Sequence, residues 1–428
     1  MAGEGKMNRL RLGRQVWSWA LYDWASSAFA TTVMAGFFPV FFKEFWCAGT
    51  EASVSTLRLG VASSAASLTV AVLAPILGAI ADGAAARRKF LLWFAGLGIL
   101  TTASLYLVPH GAWMTAAVVY VLAIVGFSGA NVFYDSLLVT VAPSGRSDYV
   151  SALGFAVGYL GGGVLFAVNV AMTRFPMAFG MDGSSSAVRV SFLTVAVWWT
   201  VFSAPLARYV REPQAVGGSA QAGAAKRIGD GLRELAQTLR RVRELRMVFV
   251  FLIAYWLYID GVHTFVRMAV DYGLALGFAS NSLIVALLIT QFVGFPAAIA
   301  FGKLGERAGA KTGILIGIGV YVGVALWGYR MQSVWEFYVL AGVIGLVQGG
   351  VQSLSRSLYA TLIPAGRSAQ FFGFYNMLGR FAAVLGPLIM GGVSYATGNP
   401  RLSIVAIIAL FVAGAALLLR VRPGVANR

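Results

Sequence analysis

Long uninterrupted runs of apolar residues constrain this chain more than any other feature of its sequence. Examples lie at 90–108, 314–329 and 403–419. An α-helix needs about 17 to 25 apolar residues to cross the hydrocarbon of a bilayer. Only 11% of the 428 residues are charged, whereas roughly 25% are charged in a typical soluble domain. The sequence therefore predicts an all-α integral membrane protein with most of its surface in lipid.

Twelve spanning helices account for these apolar runs. The first run is too long for a cleavable signal peptide and lacks a small-residue cleavage site, so we assign it to the first span. The predicted spans lie near 16–42, 59–81, 90–108, 112–138, 149–172, 187–207, 247–270, 281–301, 313–329, 335–361, 370–396 and 402–419.

Basic residues are unevenly divided between the two sides of the predicted membrane. If successive loops lie on opposite sides of the membrane, one side carries 24 Lys and Arg residues and the other carries 6. We call the richer side, which holds both termini and the 209–246 loop, the basic face. Loops rich in Lys and Arg stay in the cytoplasm, so we predict a multi-pass protein of a bacterial inner membrane with both termini cytoplasmic. This topology also explains the net charge of +17 without a nucleic-acid partner.

Short motifs on the basic face recur in the second half of the chain. Three pairs share an offset of 224: Gly78 with Gly302, Asp82 with Glu306, and Arg87 with Lys311. A second repeat pairs 143–147 with 364–368 at an offset of 221. Parallel repeats of this kind suit alternating access, in which two bundles rock about a central site.

The repeat predicts three regions. Residues 1–208 and 247–428 form two related six-helix bundles, and 209–246 form a cytoplasmic linker. The basic stretch at 226–246 is either an amphipathic helix at the surface of an anionic membrane or a solvated connector.

A resemblance to a known superfamily follows from these motifs. Gly78-x3-Asp82-x4-Arg87-Arg88-Lys89 resembles the signature loop of the major facilitator superfamily (MFS). The resemblance implies the major facilitator fold, which has twelve transmembrane helices in two pseudo-symmetric six-helix bundles.

Within the superfamily, the chain resembles the autophagy-related vacuolar amino-acid effluxers and their bacterial relatives. The similar runs lie at 22–29, 151–161, 349–357 and 371–375. Gln370 departs from the pattern, because the resemblance would place an acidic residue there. Amino-acid transport is the activity that this resemblance implies.

Polar side chains inside the predicted spans are the candidate functional residues, because such groups are costly in a membrane unless they are paired. We predict a role in substrate binding or coupling for Tyr22, Asp23, Asn131, Asp260, His263, Arg267, Gln352, Asn376 and Arg380. We predict a role in gating for Gly78, Asp82, Arg87, Arg88, Asp135, Glu306, Lys311 and Arg356.

Two groups of candidates leave alternatives open. Asp260, His263 and Arg267 share one helical face. They form either a site for substrate binding or proton coupling, or a structural Asp–Arg contact or gate pair. Asp135 and Arg356 are equivalent under the 221 offset. They either have a gating or substrate role, in which they meet when the basic side closes, or form structural pairs within their own halves.

The function that these features predict is secondary active transport, by alternating access, of a small polar organic solute such as an amino acid or a short peptide. Export and coupling to protons are further expectations. A facilitative uniporter and a protein that binds or moves lipid are the alternatives. The sequence shows neither a filter loop of a channel nor a nucleotide-binding loop. We expect a monomer without enzymatic activity or a cofactor. We also expect no metal, because two histidines cannot build a histidine-rich metal site.

Overall fold

The computed structural model describes residues 13–83, 86–212, 245–275, 280–364, 366–382, 385–397 and 400–422. This part of the chain contains helices and no β-strand. We number the helices α1 Arg14–Trp46, α2 Ala52–Gly83, α3 Arg87–Ser104, α4 Trp113–Val141, α5 Ser147–Arg174, α6 Ser184–Tyr209, α7 Arg246–Ala275, α8 Ser280–Ala308, α9 Ala310–Arg330, α10 Val334–Leu362, α11 Ser368–Phe381 with Leu385–Thr397, and α12 Pro400–Ala406 with Ile408–Arg420.

The helices match the twelve predicted spans in order and approximate position. Among the described residues, ten are long and apolar enough to cross a membrane, and these are α1 to α10. The last two spans are each described in two helical parts. In α1, the segments Phe29–Phe37 and Phe42–Trp46 are π-helical, a geometry that is often found at functional sites. The all-α class and the twelve-helix architecture are confirmed.

Buried apolar side chains divide into two main clusters. One is built almost entirely from α1 to α6, with Trp19 and Trp199 among its largest members. The other is built from α7 to α12 and includes Tyr258 and Tyr321. The two bundles meet mainly where α2 packs on α11 and α5 packs on α8.

The turns before α5 and α11 show the repeat directly. Gly145 and Gly366, which are equivalent under the 221 offset, have φ angles of 77° and 83°. Glycine adopts positive φ without steric cost, so each turn can reverse the chain sharply. The following helices begin at equivalent serines, Ser147 and Ser368.

The basic loops of the two halves also make equivalent contacts. Arg88 Nη1 donates to the Val210 carbonyl, 2.7 Å away, after α6. Lys311 Nζ donates to the carbonyls of Leu419 and Val421, at 2.6 and 2.9 Å, at the end of α12. Both cations therefore satisfy the free carbonyls at the end of the last helix of their own bundle.

Most of the predicted linker, residues 213–244, lies outside the described residues together with most of its basic stretch. The region boundaries at 208 and 247 stay predictions.

Candidate functional site

A cavity of about 500 Å³ lies between the two bundles. Small-molecule sites typically have volumes of this order. The cavity extends from Asp135 and Arg356, toward the basic face, to Met331 and Phe337 near the other face. Its wall includes these residues predicted to bind substrate: Asp23, Asn131, His263, Gln352 and Asn376.

Arg356 joins the bundles at the basic end of the cavity. Although it belongs to α10, its Nη1 donates to Asp135 Oδ1 on α4, at 2.9 Å. Its Nε and Nη2 donate to the hydroxyl and carbonyl oxygens of Ser151 on α5, at 2.9 and 2.8 Å. The arginine side chain is only 2% exposed. A buried guanidinium is tolerated when ionic and hydrogen-bond partners surround it in this way.

Three aromatic rings complete the surroundings of Arg356. Its guanidinium carbon lies 5.0 Å from the ring centroid of Trp19, 5.3 Å from that of Tyr134 and 4.5 Å from that of Phe155. Trp19 also stacks on Tyr134 with a centroid distance of 4.4 Å. We call these three rings the aromatic cage; each is within the range of a cation–π contact.

Neutral donors hold the two carboxylates beside the cage. Asn376 on α11 donates to Asp135 Oδ2 at 3.0 Å, so a second residue of the C-terminal bundle binds the same carboxylate. Asp23 accepts from Ser27 at 3.2 Å and from the Tyr134 hydroxyl at 3.3 Å. Asp23 is partly exposed on the cavity wall.

Glycines on α5 allow α1 to approach closely at this point. A Cβ atom on Gly158 would lie 2.7 Å from Ser27 Oγ and 2.9 Å from Asp23 Oδ1. Real Cβ atoms do not come this near, so glycine at 158 determines where the Asp23 carboxylate lies.

Asp82 joins the bundles on the basic face. Its carboxylate accepts the backbone N–H groups of Ala369 and Gln370 at 3.1 and 2.8 Å. Arg87 Nε donates to the same carboxylate at 2.7 Å. The first-turn N–H groups of a helix lack intrahelical partners and favour an anion, so Asp82 stabilises the start of α11. A Cβ atom on Gly78 would overlap the Ala369 carbonyl.

The other predicted gating residues have different partners. Arg146 Nε lies 3.3 Å from Glu306 Oε1, which gives a second, more exposed ion pair between the bundles. Arg88 and Lys311 instead bind carbonyls within their own bundles, as described above.

Asp260 lies behind the cavity wall. It is fully buried, and its Oδ1 accepts the N–H of Gly386 in the second part of α11 at 3.0 Å. His263 faces the cavity one turn further along α7. Tyr22 is also fully buried and packs on Tyr134, with centroids 5.3 Å apart. The side chains of Arg267 and Arg380 lie outside the part of the chain that the structure describes.

Several residues at the site carry no charge and give no strong sequence signal. Gln291 on α8 donates to Thr31 on α1 at 2.9 Å and so joins the bundles at the level of the cavity. Ser151 Oγ donates to the Ser353 carbonyl at 2.7 Å. The cage residues Trp19 and Phe155 resemble ordinary apolar core positions, and only their contact with a cation distinguishes them.

Comparison with known proteins identifies the family. A family model described as "Vacuole effluxer Atg22 like" matches residues 47–143 and 140–424. The chain belongs to the Atg22-like family. It is 38% identical over 417 residues to the uncharacterised MFS-type transporter YxiO of Bacillus subtilis (strain 168), covering 95% of each chain. It is 23% identical to autophagy-related protein 22 of Coccidioides immitis (strain RS), covering 93% of this chain and 84% of that protein.

The fold of this Atg22-like protein also matches solved transporter structures. The MFS proton:xylose symporter XylE superposes with a TM-score of 0.70 at 13% identity, over 96% of this chain and 95% of that one. The major facilitator fold is therefore confirmed. The chain is a multi-pass membrane transporter of small molecules and, like its relatives, not an enzyme.

Proposed function

We propose that this protein moves a zwitterionic solute, such as an amino acid or a short peptide, by alternating access between its two bundles. The observation that carries the proposal is the Asp135–Arg356 ion pair, which both joins the bundles and lines the cavity. Asp23 adds a second carboxylate to the wall. A solute with both signs of charge can pair with the carboxylates and with Arg356, whereas a neutral sugar needs neither.

The positions of the polar contacts support a state that is closed on the basic face. Asp82, Arg146 and Arg356 all join the bundles between that face and the cavity. The positive-inside rule assigns this face to the cytoplasm, so the cavity belongs to a state closed toward the cytoplasm. Asp82 with Gly78 and Arg87, and Arg146 with Glu306, are the gate, and they separate when the transporter opens inward.

His263 is the residue that we assign to proton coupling. Histidine titrates near neutral pH, and this side chain faces the cavity. Export is the direction supported by membership of an effluxer-like family. Facilitative uniport and binding or movement of lipid are the competing functions.

A ligand screen followed by flux measurement tests the proposal. Purified protein is screened by thermal shift against amino acids, short peptides, sugars and lipids, and the stabilising compounds are then assayed in proteoliposomes with and without a pH gradient. We expect stabilisation by zwitterions, saturable counterflow and faster net flux in a proton gradient. Stabilisation by sugars or lipids alone would contradict the zwitterion assignment, and flux indifferent to the gradient would favour uniport.

A further inference from the structure

The cage around Arg356 is built by the bundle to which Arg356 does not belong. Trp19, Tyr134 and Phe155 lie on α1, α4 and α5, and the hydrogen-bond acceptors Asp135 and Ser151 lie on α4 and α5. The N-terminal bundle thus contains a complete cation site, and a side chain of the C-terminal bundle fills it.

We infer that this cage is a solute site that Arg356 and the cationic group of the solute occupy in turn. The inference rests on the proposed function, because alternating access separates the bundles on the basic side. Arg356 then withdraws with α10, while Asp135 stays with α4. A buried carboxylate that loses its counter-ion is strongly destabilised. A second cation must therefore replace the guanidinium before the separated state is stable.

The solute can deliver that cation directly. Tyr134, Asp135 and Phe155 all line the cavity, as does Asp23. Among the described side chains, Arg356 forms an ion pair with Asp135, and Asp23 accepts from the uncharged Ser27 and Tyr134. This end of the cavity therefore attracts positive charge even while Arg356 is in place.

The chemistry of the cage defines the group that it binds. The rings present their faces to a cation, and Ser151 and Asp135 supply three oxygen atoms that accept from a guanidinium. A solute guanidinium or primary ammonium reproduces these contacts, and an uncharged amide or ureido group does not. Opening toward the basic face is then conditional on a cationic solute.

Distance measurements between the bundles test this condition. Nitroxide labels are attached to Ser144→Cys and Arg307→Cys, which are both exposed on the basic face. Double electron–electron resonance then measures the distance between the two bundles. Native Cys47 is buried, so we expect the label to react at the two introduced cysteines. Agmatine, L-arginine and n-butylguanidinium should populate longer distances, and n-butylurea, the uncharged analogue of n-butylguanidinium without any ammonium group, should not. Equal effects of n-butylguanidinium and n-butylurea, or no separation with any cationic solute, would overturn the inference.

A matched pair of cavity variants localises the effect to the cage. Phe155→Leu removes a ring that faces Arg356, and Phe127→Leu removes a ring of the same cavity that packs on Phe29 and Trp199 instead. The L-arginine concentration for half-maximal separation should rise about tenfold in the first variant and about twofold or less in the second. Equal shifts in both would remove the cage from the mechanism.

Chemical complementation provides an independent test. Arg356→Ala empties the cage, and methylguanidinium should raise the melting temperature of this variant while the uncharged N-methylurea does not. The Arg356→Ala, Asp135→Asn double variant should show no such rise. Transport of amino acids by a protein whose bundles respond equally to n-butylguanidinium and n-butylurea would refute this inference and leave the proposed function standing. If organic cations separate the bundles but no amino acid or peptide is transported, the inference stands and the proposed function is refuted.

Discussion

The Asp82 carboxylate of the N-terminal bundle accepts the backbone N–H of Gln370 in the C-terminal bundle at 2.8 Å. The contact uses the backbone of residue 370 and leaves its side chain uninvolved. The presence of glutamine at this position, where the resemblance would place an acidic residue, is therefore compatible with the contact between α2 and α11. The gate that we propose depends on the charge of Asp82 and on the free N–H groups at the start of α11.

Asp82→Asn should impair transport with little loss of folded protein. The amide keeps the shape of the carboxylate but loses the charge that binds Arg87 and the α11 N-terminus, an interaction worth about 0.3 to 2 kcal/mol. Glu336→Gln is a matched control, because Glu336 forms a capping box with Ser333 inside a single bundle. Proteoliposome flux should fall in the first variant and not in the second. Normal flux in Asp82→Asn would remove this carboxylate from the gate.

Single substitutions in the Asp135–Arg356 pair should destabilise the folded protein. Removing one partner leaves a buried charge without its counter-ion, which typically destabilises a protein by about 3 to 5 kcal/mol. We expect a large drop in melting temperature for Asp135→Asn and for Arg356→Gln. The charge exchange Asp135→Arg with Arg356→Asp should recover part of the stability if the pair is what matters. A double variant no better than the sum of the single ones would argue against direct pairing.

Gly158→Ala should weaken solute binding by displacing Asp23. The added methyl group would lie within 2.9 Å of the Asp23 carboxylate and even nearer to Ser27, and overpacking of this kind usually costs about 1 to 3 kcal/mol. Gly319→Ala on α9 is the control, since nothing lies within 4 Å of its Cβ position. Melting temperature and ligand-induced stabilisation should both fall in Gly158→Ala, whereas Gly319→Ala should be unchanged or slightly more stable. An unaltered ligand response in Gly158→Ala would show that Asp23 is not at the binding site.

The fold could be predicted from the sequence for two reasons. The length of each apolar run and the uneven distribution of Lys and Arg between the loops constrain every span, and the motifs of the first half recur in the second. The same repeat placed Asp135 and Arg356 at equivalent positions, and they form an ion pair. The surroundings of Asp260 could not be predicted. Its Oδ1 accepts the Gly386 N–H, 126 residues further along the chain, and such a contact depends on how α7 packs on α11 rather than on local sequence.

Position 220 should be inaccessible from outside the cell. It lies in the loop that the charge asymmetry assigns to the cytoplasm, outside the described residues. In intact cells, a membrane-impermeant maleimide should label Asp182→Cys, which is exposed between α5 and α6 on the other face, and should not label Ala220→Cys. Labelling at 220 but not at 182 would invert the proposed topology.

His263→Ala should abolish uphill transport while sparing exchange. If His263 carries the coupling proton, its removal uncouples flux from the pH gradient, yet bound solute can still exchange across the membrane. Gln348→Ala is the matched control, because it removes a polar side chain of the same cavity that does not titrate. Counterflow and gradient-driven accumulation, measured on the same proteoliposomes, separate the two activities.

Asp260→Asn should behave differently from His263→Ala. Its carboxylate binds the Gly386 N–H inside the bundle, and weakening a buried hydrogen bond costs about 1 to 3 kcal/mol. We therefore expect a lower melting temperature for Asp260→Asn, and coupling that survives in the protein that remains folded. Gradient-driven accumulation by His263→Ala at the wild-type level would remove the coupling assignment and leave His263 as a solute contact. Loss of coupling in Asp260→Asn without loss of stability would transfer the proton site to Asp260.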